Sequence, residues 1–471
     1  MAFARNALAV ACTAALVWFG TGLHPWWPLM WFAPLPLLLV ATRSTWKTTA
    51  IVAFLGIFIG YFNIWHYLHD VLGMPATVFV LTVGIQAVGF ALVTLLFRAL
   101  YNRQAWRAAL IAFPAAWVSI EYLNNLTSVH GTAGDLAYSQ LNFLPVLQVA
   151  SLTGPWGISA LLLLFSAALV ILPRAPRDAF AGLGVIAIAL MFGVARLAMS
   201  TSLARVKVGL IASDLPENKG VVDEGSKTAR LLRDYASATQ RLVSQGAHVI
   251  VLPEKLGVVV DQDTVAMDSA FQQLADKDTA QIVVGVIRVA SRIKYNQARI
   301  YSPGMPVRTY DKEHMLPPFE SRLTPGTSLT LLSEPTGPWG VAICKDMDFT
   351  APSREYGAAG AGVMLVPAWD FDLDRWAHGH MAVMRGVENG FAIVRAAKQG
   401  YLTVSDDRGR ILAEARSDAA PFSTLITDVP AAHDVTFYRQ YGDWFAHFML
   451  AMFVATSLGT LAGVFIRSKP R

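Results

Sequence analysis

Gly340-Val341-Ala342-Ile343-Cys344-Lys345-Asp346-Met347-Asp348-Phe349 sets small and apolar residues ahead of a cysteine, with charged residues directly after it. Such a run reads as a buried strand that presents a thiol at its end. Two other runs end in the same way. Val249-Ile250-Val251-Leu252-Pro253-Glu254 brings a carboxylate to a strand end, and Tyr310-Asp311-Lys312 brings an amine. Thiol-based acyl chemistry needs this set: a carboxylate takes the thiol proton, a cation steadies the developing oxyanion, and sulfur attacks. Glu254, Lys312 and Cys344 are therefore the candidate catalytic residues. Cys344 is also the only cysteine outside the first apolar helix, which excludes a disulfide within its own domain. A lone cysteine is commonly a small buried hydrophobe, and the two matching strand-end charges are what favour a nucleophile here.

The 471-residue chain is 54% hydrophobic and 15% charged, with a mean hydropathy of +0.43. Soluble proteins carry about 25% charged residues, so a substantial part of this one is expected in a membrane. Residues 1–198 are almost free of acids, whereas 205–440 have the mixed charge of a soluble domain. The net charge of +5 falls largely in short loops beside apolar helices. That placement has a topological explanation and is no signature of nucleic-acid binding.

A crossing needs about 20 largely apolar residues. Seven candidate spans precede the polar domain, at roughly 5–22, 27–41, 49–68, 75–100, 106–123, 156–173 and 178–198, and an eighth runs from Trp444 to Ile466. The second is short and holds Pro34 and Pro36. The first lacks a clean small-residue cleavage site and more apolar helices follow it, so it reads as a retained anchor. With the N-terminus inside, the inner loops hold Arg43, Lys47, Arg98, Arg103, Arg107, Arg174 and Arg177, and the tail adds Arg467, Lys469 and Arg471. The outer loops 23–26, 69–74 and 124–155 contain no lysine or arginine. This asymmetry predicts a bundle over 1–198, an extracytoplasmic domain over 199–443, and a last helix with a short basic cytoplasmic tail over 444–471. Trp26 and Trp27 read as an interfacial belt. Asn124, Asn125 and Asp135 read as loop solvation before cavity lining. Glu121 is the one acid within a span, either functional or simply solvated at the interface.

From Arg205 the pattern changes. Val206 to Ile211, His248 to Leu252, Ile282 to Ile287 and Ala298 to Tyr301 read as strands, with helical spacing over Asp223–Ser244 and Thr264–Ala275. The strand before Cys344, a run over Gly362–Val366, a helix over Asp374–Asn389 and strands over 391–396, 401–405 and 422–427 continue the alternation. The expected fold is an α-helical transmembrane bundle plus an extramembrane α/β sandwich. The aromatic stretch Thr436 to Phe445 reads as an interface anchor that tethers the domain at its second end.

The chain resembles the bacterial apolipoprotein N-acyltransferases, membrane members of the nitrilase superfamily. The resemblance rests on Trp26-Trp27-Pro28, Ala33-Pro34-Leu35-Pro36, Gly56 to Tyr61, Gly154-Pro155-Trp156-Gly157-Ile158-Ser159, Pro253-Glu254 and Tyr310-Asp311-Lys312 with His314 and Leu316-Pro317. Ile343-Cys344, Arg385 to Gly390 and Tyr438 to Trp444 complete it in order. The resemblance implies a nitrilase-like αββα sandwich with Glu254 as general base, Lys312 as oxyanion cation and Cys344 as nucleophile. It implies a phospholipid acyl donor, a thioester intermediate, and the α-amine of a diacylglyceryl-cysteine on a lipoprotein as acceptor. It implies the bacterial inner membrane, a periplasmic domain and no cofactor. Glu320 stands where the family carries a further glutamate, and Glu388 fits a position that orients the catalytic groups.

Three departures bear on the substrates. Lys345 and Asp346 follow the cysteine where the family has tyrosine and glutamate. Pro317-Pro318-Phe319-Glu320 lacks the family's glycine, and Val221 and Val222 lie where a loop tryptophan is expected. The extra cation at Lys345 is expected to favour the thiolate.

Rival readings are a membrane-anchored amidase or other acyltransferase, a non-catalytic binding paralogue, and a transporter. The intact Glu254, Lys312 and Cys344 argue against a binding module, and the absence of buried charges in the spans argues against a carrier. His378 and His380 with Asp370, Asp372 and Asp374 resemble metal ligands on paper. Their spacing matches no zinc pattern, so they read as a solvated loop and helix start, and no metal is expected.

Overall fold

The computed structural model describes residues 2–199, 204–222, 225–431 and 434–463. The basic tail at Arg467, Lys469 and Arg471, and the expected helix start at Asp223, lie outside the described residues. The chain forms two compact units. One comprises Met1–Ser128, Ala133–Ala198 and Tyr441–Arg471, the other Val129–Thr132 and Met199–Gln440.

The first unit is helical. Among the described residues, five helices are long and apolar enough to cross a membrane: Ala2–Gly20, Trp46–Ile64, Ala76–Asn102, Pro176–Ala198 and Trp444–Leu461. The other three expected spans differ for local reasons. Pro34 sits between Trp27–Phe32 and Leu35–Ala41, so the second span is two short helices. Pro155–Ile171 has 17 residues, and Trp106–Asn125 carries Arg107 and Glu121 and is less apolar. Glu121 is buried, not solvated. It accepts from Trp117 Nε1 at 2.9 Å and from the Leu136 backbone N–H at 2.8 Å, so it staples the following loop to its own helix. Asp135 is buried as well, while Asn124 is exposed. The last helix is held by Trp156 Nε1 donating to Asp443 at 2.9 Å, and by Tyr122 OH 2.7 Å from His447 Nε2.

The second unit is a four-layer α/β sandwich. Its strands are β1 Arg205–Ala212, β2 Val249–Val251, β3 Val258–Val259, β4 Gln281–Ala290, β5 Ile293–Tyr301, β6 Arg308–Asp311, β7 Thr330–Glu334, β8 Gly337–Val341, β9 Val363–Trp369, β10 Ala392–Lys398, β11 Tyr401–Ser405, β12 Ile411–Arg416 and β13 Ser423–Pro430. One sheet runs β13-β1-β2-β4-β5-β6 with β3 beside β4, and the other runs β12-β11-β10-β9-β8-β7. Strand side chains alternate between faces, and the cores follow that period. Val208, Leu210, Val249, Val251 and Val283 of one sheet meet Trp339, Val341, Val363, Leu365 and Val394 of the other. Ile211, Ile250 and Ile282 point outward to Leu231, Tyr235 and Phe271 on helices Ser226–Ser244 and Asp261–Asp278. On the opposite side Met364 and Ile393 meet Tyr356 and Ala382 on Thr350–Ala358 and Arg375–Asn389.

Within each sheet the central strands are parallel: β1, β2 and β4 in one, β8, β9 and β10 in the other. Their carboxyl ends therefore gather at one edge, where α/β folds bind ligands. The Pro253–Glu254 backbone that leaves β2 passes so close to Gly285 of β4 that a Cβ there would lie 2.4 Å from the Pro253 carbonyl oxygen. Only glycine lets the carboxylate-bearing turn through.

Candidate active site

Glu254 follows β2, Lys312 follows β6, and Cys344 follows β8. All three sit just past the end of a strand, so their backbones are fixed by the sheets. The Glu254 N–H donates across to Ala368 O at 3.2 Å, and the Lys312 N–H donates to Asn296 O at 2.8 Å.

The side chains of Glu254, Lys312 and Glu320 converge. Lys312 Nζ donates to Glu254 Oε1 at 2.9 Å and to Glu320 Oε2 at 2.8 Å. Asn296 Nδ2 donates to Glu254 Oε1 at 2.5 Å and to Glu320 Oε1 at 2.8 Å. Glu320 also accepts from the Leu316 N–H at 2.8 Å and from Lys255 Nζ at 2.6 Å. Glu254, Lys312 and Glu320 are each only 1% exposed. Buried charges persist only when paired and hydrogen-bonded, and these are. Burial alone would push the Lys312 amine down, but Glu254 and then Glu320 outweigh it, and the amine stands well above its ordinary value. Burial works against the Glu320 carboxylate too, yet Lys312 and Lys255 bring it down to about 2.

Cys344 has a backbone φ of +44°, a region that costs a non-glycine residue energy and recurs at functional sites. It opens a short 3₁₀ turn, Cys344–Asp348, and its Sγ lies 3.5 Å from the Trp369 carbonyl oxygen at the end of β9. Burial pushes the thiol up, the Glu254 charge adds to that, and Lys312 and Arg395 pull it back. The resting group is thus a protonated thiol that needs a base, with a carboxylate and an ammonium close enough to act on it electrostatically.

Asp346 and Lys345 make their contacts within and around the turn that follows the cysteine. Asp346 is fully buried and accepts from Tyr310 OH at 2.8 Å, the Ile343 N–H at 3.0 Å and the His314 N–H at 2.8 Å. It ties the lysine loop to the cysteine turn. Lys345 Nζ lies 3.1 Å from His130 Nδ1 and 3.5 Å from Asp348. The turn aims it away, so it is not the cation that favours the thiolate; Lys312 and Arg395 are. Its partner His130 belongs to the segment Val129–Thr132 of this unit, where Thr132 also binds the Asp348 carbonyl oxygen from both N–H and Oγ1. Burial, then Lys345, push the His130 imidazole down to about 4. Glu388 lies on helix Arg375–Asn389 and pairs with Arg385 at 3.0 Å, both fully buried.

The residues Asp370, Asp374 and His378 are not a solvated loop. Both aspartates are fully buried, and the three ligand atoms lie within 4.8 Å of one another. Both oxygens of Asp370 are taken by Arg395, at 2.9 and 2.5 Å, and His378 Nδ1 lies 3.0 Å from Asp374. Burial opposes the charged imidazole, but Asp374 and Asp370 hold it protonated well above its ordinary value. The donors are spent on one another as an ion-pair chain behind Cys344. His380 instead stacks on Trp376, and Asp372 pairs with Arg375 at 3.5 Å.

Four residues of the site carried no signal of their own in the sequence: Asn296, Lys255, Trp369 and Arg395. Lys255, Trp369 and Arg395 lie inside or directly beside apolar runs, and Asn296 lies in the polar stretch Lys294-Tyr295-Asn296-Gln297 of β5. Lys255 stood beside Glu254 and Trp369 beside Asp370, residues already singled out.

Residues 4–168 match the family model described as the apolipoprotein N-acyltransferase N-terminal domain, and residues 223–433 match the carbon-nitrogen hydrolase model. An apolipoprotein N-acyltransferase of Geobacter metallireducens is 26% identical over 471 residues, covering 89% of this chain and 88% of that protein. One of Haemophilus ducreyi is 23% identical over 474 residues, covering 92% of each. Among solved structures, an amidase from Nesterenkonia sp. is 20% identical, covers 54% of this chain and 98% of its own, and has a TM-score of 0.43.

Proposed function

Because the chain belongs to the apolipoprotein N-acyltransferase family, we propose that it moves a fatty acyl chain from a phospholipid, through a thioester on Cys344, to the N-terminal amine of a diacylglyceryl-cysteine on lipoproteins. The observation that carries this reading is the buried set of Glu254, Lys312 and Glu320 beside a partly buried thiol on which Glu254 and Lys312 act.

In the first half-reaction Glu254 takes the Sγ proton and the sulfur attacks the ester carbonyl of the donor. Lys312, charged at every relevant pH, meets the oxyanion, and its second tie to Glu320 holds it in place as it does so. Lysophospholipid leaves with the proton from Glu254. In the second half-reaction the acceptor amine attacks the thioester, Glu254 takes the amine proton, and Sγ recovers a proton as the amide forms. Water competes for a thioester, so both lipid substrates must arrive where water is scarce. Confinement of both to one membrane plane raises their effective concentration.

The same reading puts the catalytic unit on the extracytoplasmic side of a bacterial inner membrane. It is supported by the lysine and arginine bias of the loops and the five long apolar helices. Mass spectrometry of a lipoprotein N-terminus tests the function, in a host depleted of its own enzyme and supplied with this chain or with Cys344→Ala. An amide-linked third acyl chain with the former alone is expected. A third chain with both, or with neither, contradicts the proposal.

A further inference from the structure

Lys255 is not used by the mechanism above, yet the fold goes to some length to hold it. Its φ is +51°, strained for a lysine. Its Nζ donates to Glu320 Oε1 at 2.6 Å and lies 3.5 Å from Glu254 Oε1. Lys398 secures the strained backbone: its Nζ donates to the Lys255 carbonyl at 3.1 Å and to the Gly220 carbonyl at 3.0 Å. The Trp369 indole takes both amines as cation–π partners, with Lys398 3.9 Å and Lys255 4.9 Å from the ring centroid. The carbonyl of that same tryptophan faces the Cys344 thiol.

The charge balance gives this arrangement its meaning. Glu254 and Glu320 contribute two buried negative charges, and Lys312 supplies one positive charge. Lys255, 8% exposed, supplies the second and makes the set neutral. A buried charge left without a partner is strongly unfavourable, and a surplus negative charge beside sulfur disfavours the thiolate. Other titratable groups face the same space. Asp346 acts on Lys312, Arg395 and Asp370 act on Cys344 and cancel as a pair, and Lys398 acts next to Lys255. Burial and then Lys255 push the Lys398 amine down to about 7, so it adds no fixed charge above neutral pH.

We propose that Lys255 is a positioning residue for the acyl transfer, cancelling the second carboxylate of the buried set so that the pocket stays neutral when Cys344 passes its proton to Glu254. The S–H bond breaks and an O–H bond forms on Glu254. The thiolate and Glu320 then balance Lys312 and Lys255. Because Lys255 keeps Glu320 paired, Lys312 can turn towards the oxyanion without leaving a carboxylate bare. This role deepens the acyltransferase reading and rests on its nucleophile.

The test uses the full chain in detergent and no lipid substrate, so it stands or falls separately from the acyl-transfer assay. The rate of Cys344 alkylation by iodoacetamide is followed from pH 6 to 10 by peptide mass spectrometry, alongside the melting temperature. Lys255→Met is expected to slow alkylation ~10-fold at each pH in that range, all of it below the midpoint of a thiol that burial pushes up. Lys255→Arg is expected to keep the native profile, and Lys255→Met/Glu320→Gln, which restores neutrality, to return towards it. A Lys255→Met profile that superimposes on the native one overturns the proposal, as does a Lys255→Arg profile displaced as far as that of Lys255→Met. Should Lys255→Met fail to fold, Glu320→Gln and the double variant decide: alkylation faster than native in the first and native in the second supports the charge balance, and the same rate in both contradicts it.

Discussion

Lys398 shows most plainly that an unusual ionisation here belongs to a place in the fold. It is fully buried, its hydrogen bonds go to carbonyls rather than carboxylates, and its amine is pushed down to about 7 by burial and by Lys255. A folded-state pKa below the unfolded one means that the unfolded chain binds more protons between about pH 7 and 10. Lys398 therefore penalises folding most fully below pH 7, and the penalty is relieved as pH rises through that window. The Lys398→Met variant should lack this gain, so its melting temperature relative to the native protein should fall as pH is raised from 7 to 10. A constant difference across that range contradicts the assignment. At this scale the sequence was partly legible. Glu254 and Cys344 stood out because each follows an apolar run, and Lys312 because it follows the strand-like Tyr310-Asp311. The side-chain direction of Lys345 did not, because it is set by a 3₁₀ turn whose geometry depends on Asp346 binding Tyr310 and the lysine loop.

Helix Arg375–Asn389 carries the clearest prediction for an element. Arg385 and Glu388 form a 3.0 Å ion pair one turn apart, both fully buried. Breaking such a pair by removing one partner costs about 3–5 kcal/mol. Glu388→Ala should lower the folded fraction by that order, read as a drop in melting temperature and in protease resistance. Its activity should fall in proportion to the folded fraction, with the Cys344 alkylation profile of the surviving molecules unchanged. A normal melting temperature with lost activity would instead put Glu388 in the chemistry. The alternation of strands and helices was readable from period and turn residues. The pairing of β13 with β1 was not, since those strands are more than 200 residues apart and nothing local encodes the match. The capture of Val129–Thr132 by the second unit was hidden for the same reason. Its anchor is a backbone carbonyl, that of Asp348, which has no sequence signature.

For the whole molecule, the distribution of cations predicts on which side of the membrane each unit lies. In a background with both native cysteines replaced, Cys12→Ser/Cys344→Ser, a cysteine placed at the exposed Ala420 should react in intact spheroplasts with a membrane-impermeant maleimide. One placed at Lys47 should react only after permeabilisation. The reverse pattern would invert the topology and remove the outer-leaflet substrates from reach. Composition alone predicted a membrane protein, and five described helices are long and apolar enough to cross one. It overstated how uniform the spans are, because hydropathy windows do not register that Pro34 divides one of them or that Glu121 is spent on the Leu136 backbone.

The most direct test is the covalent state of Cys344. The full-length chain is incubated with phospholipid vesicles without an acceptor and digested, and the Cys344 peptide is weighed before and after neutral hydroxylamine. An acyl mass on Cys344 that hydroxylamine removes is predicted, absent in Cys344→Ala and strongly reduced in Glu254→Gln. An unmodified Cys344 in a chain that still acylates lipoproteins, or an acyl adduct that persists in Cys344→Ala, would contradict the account.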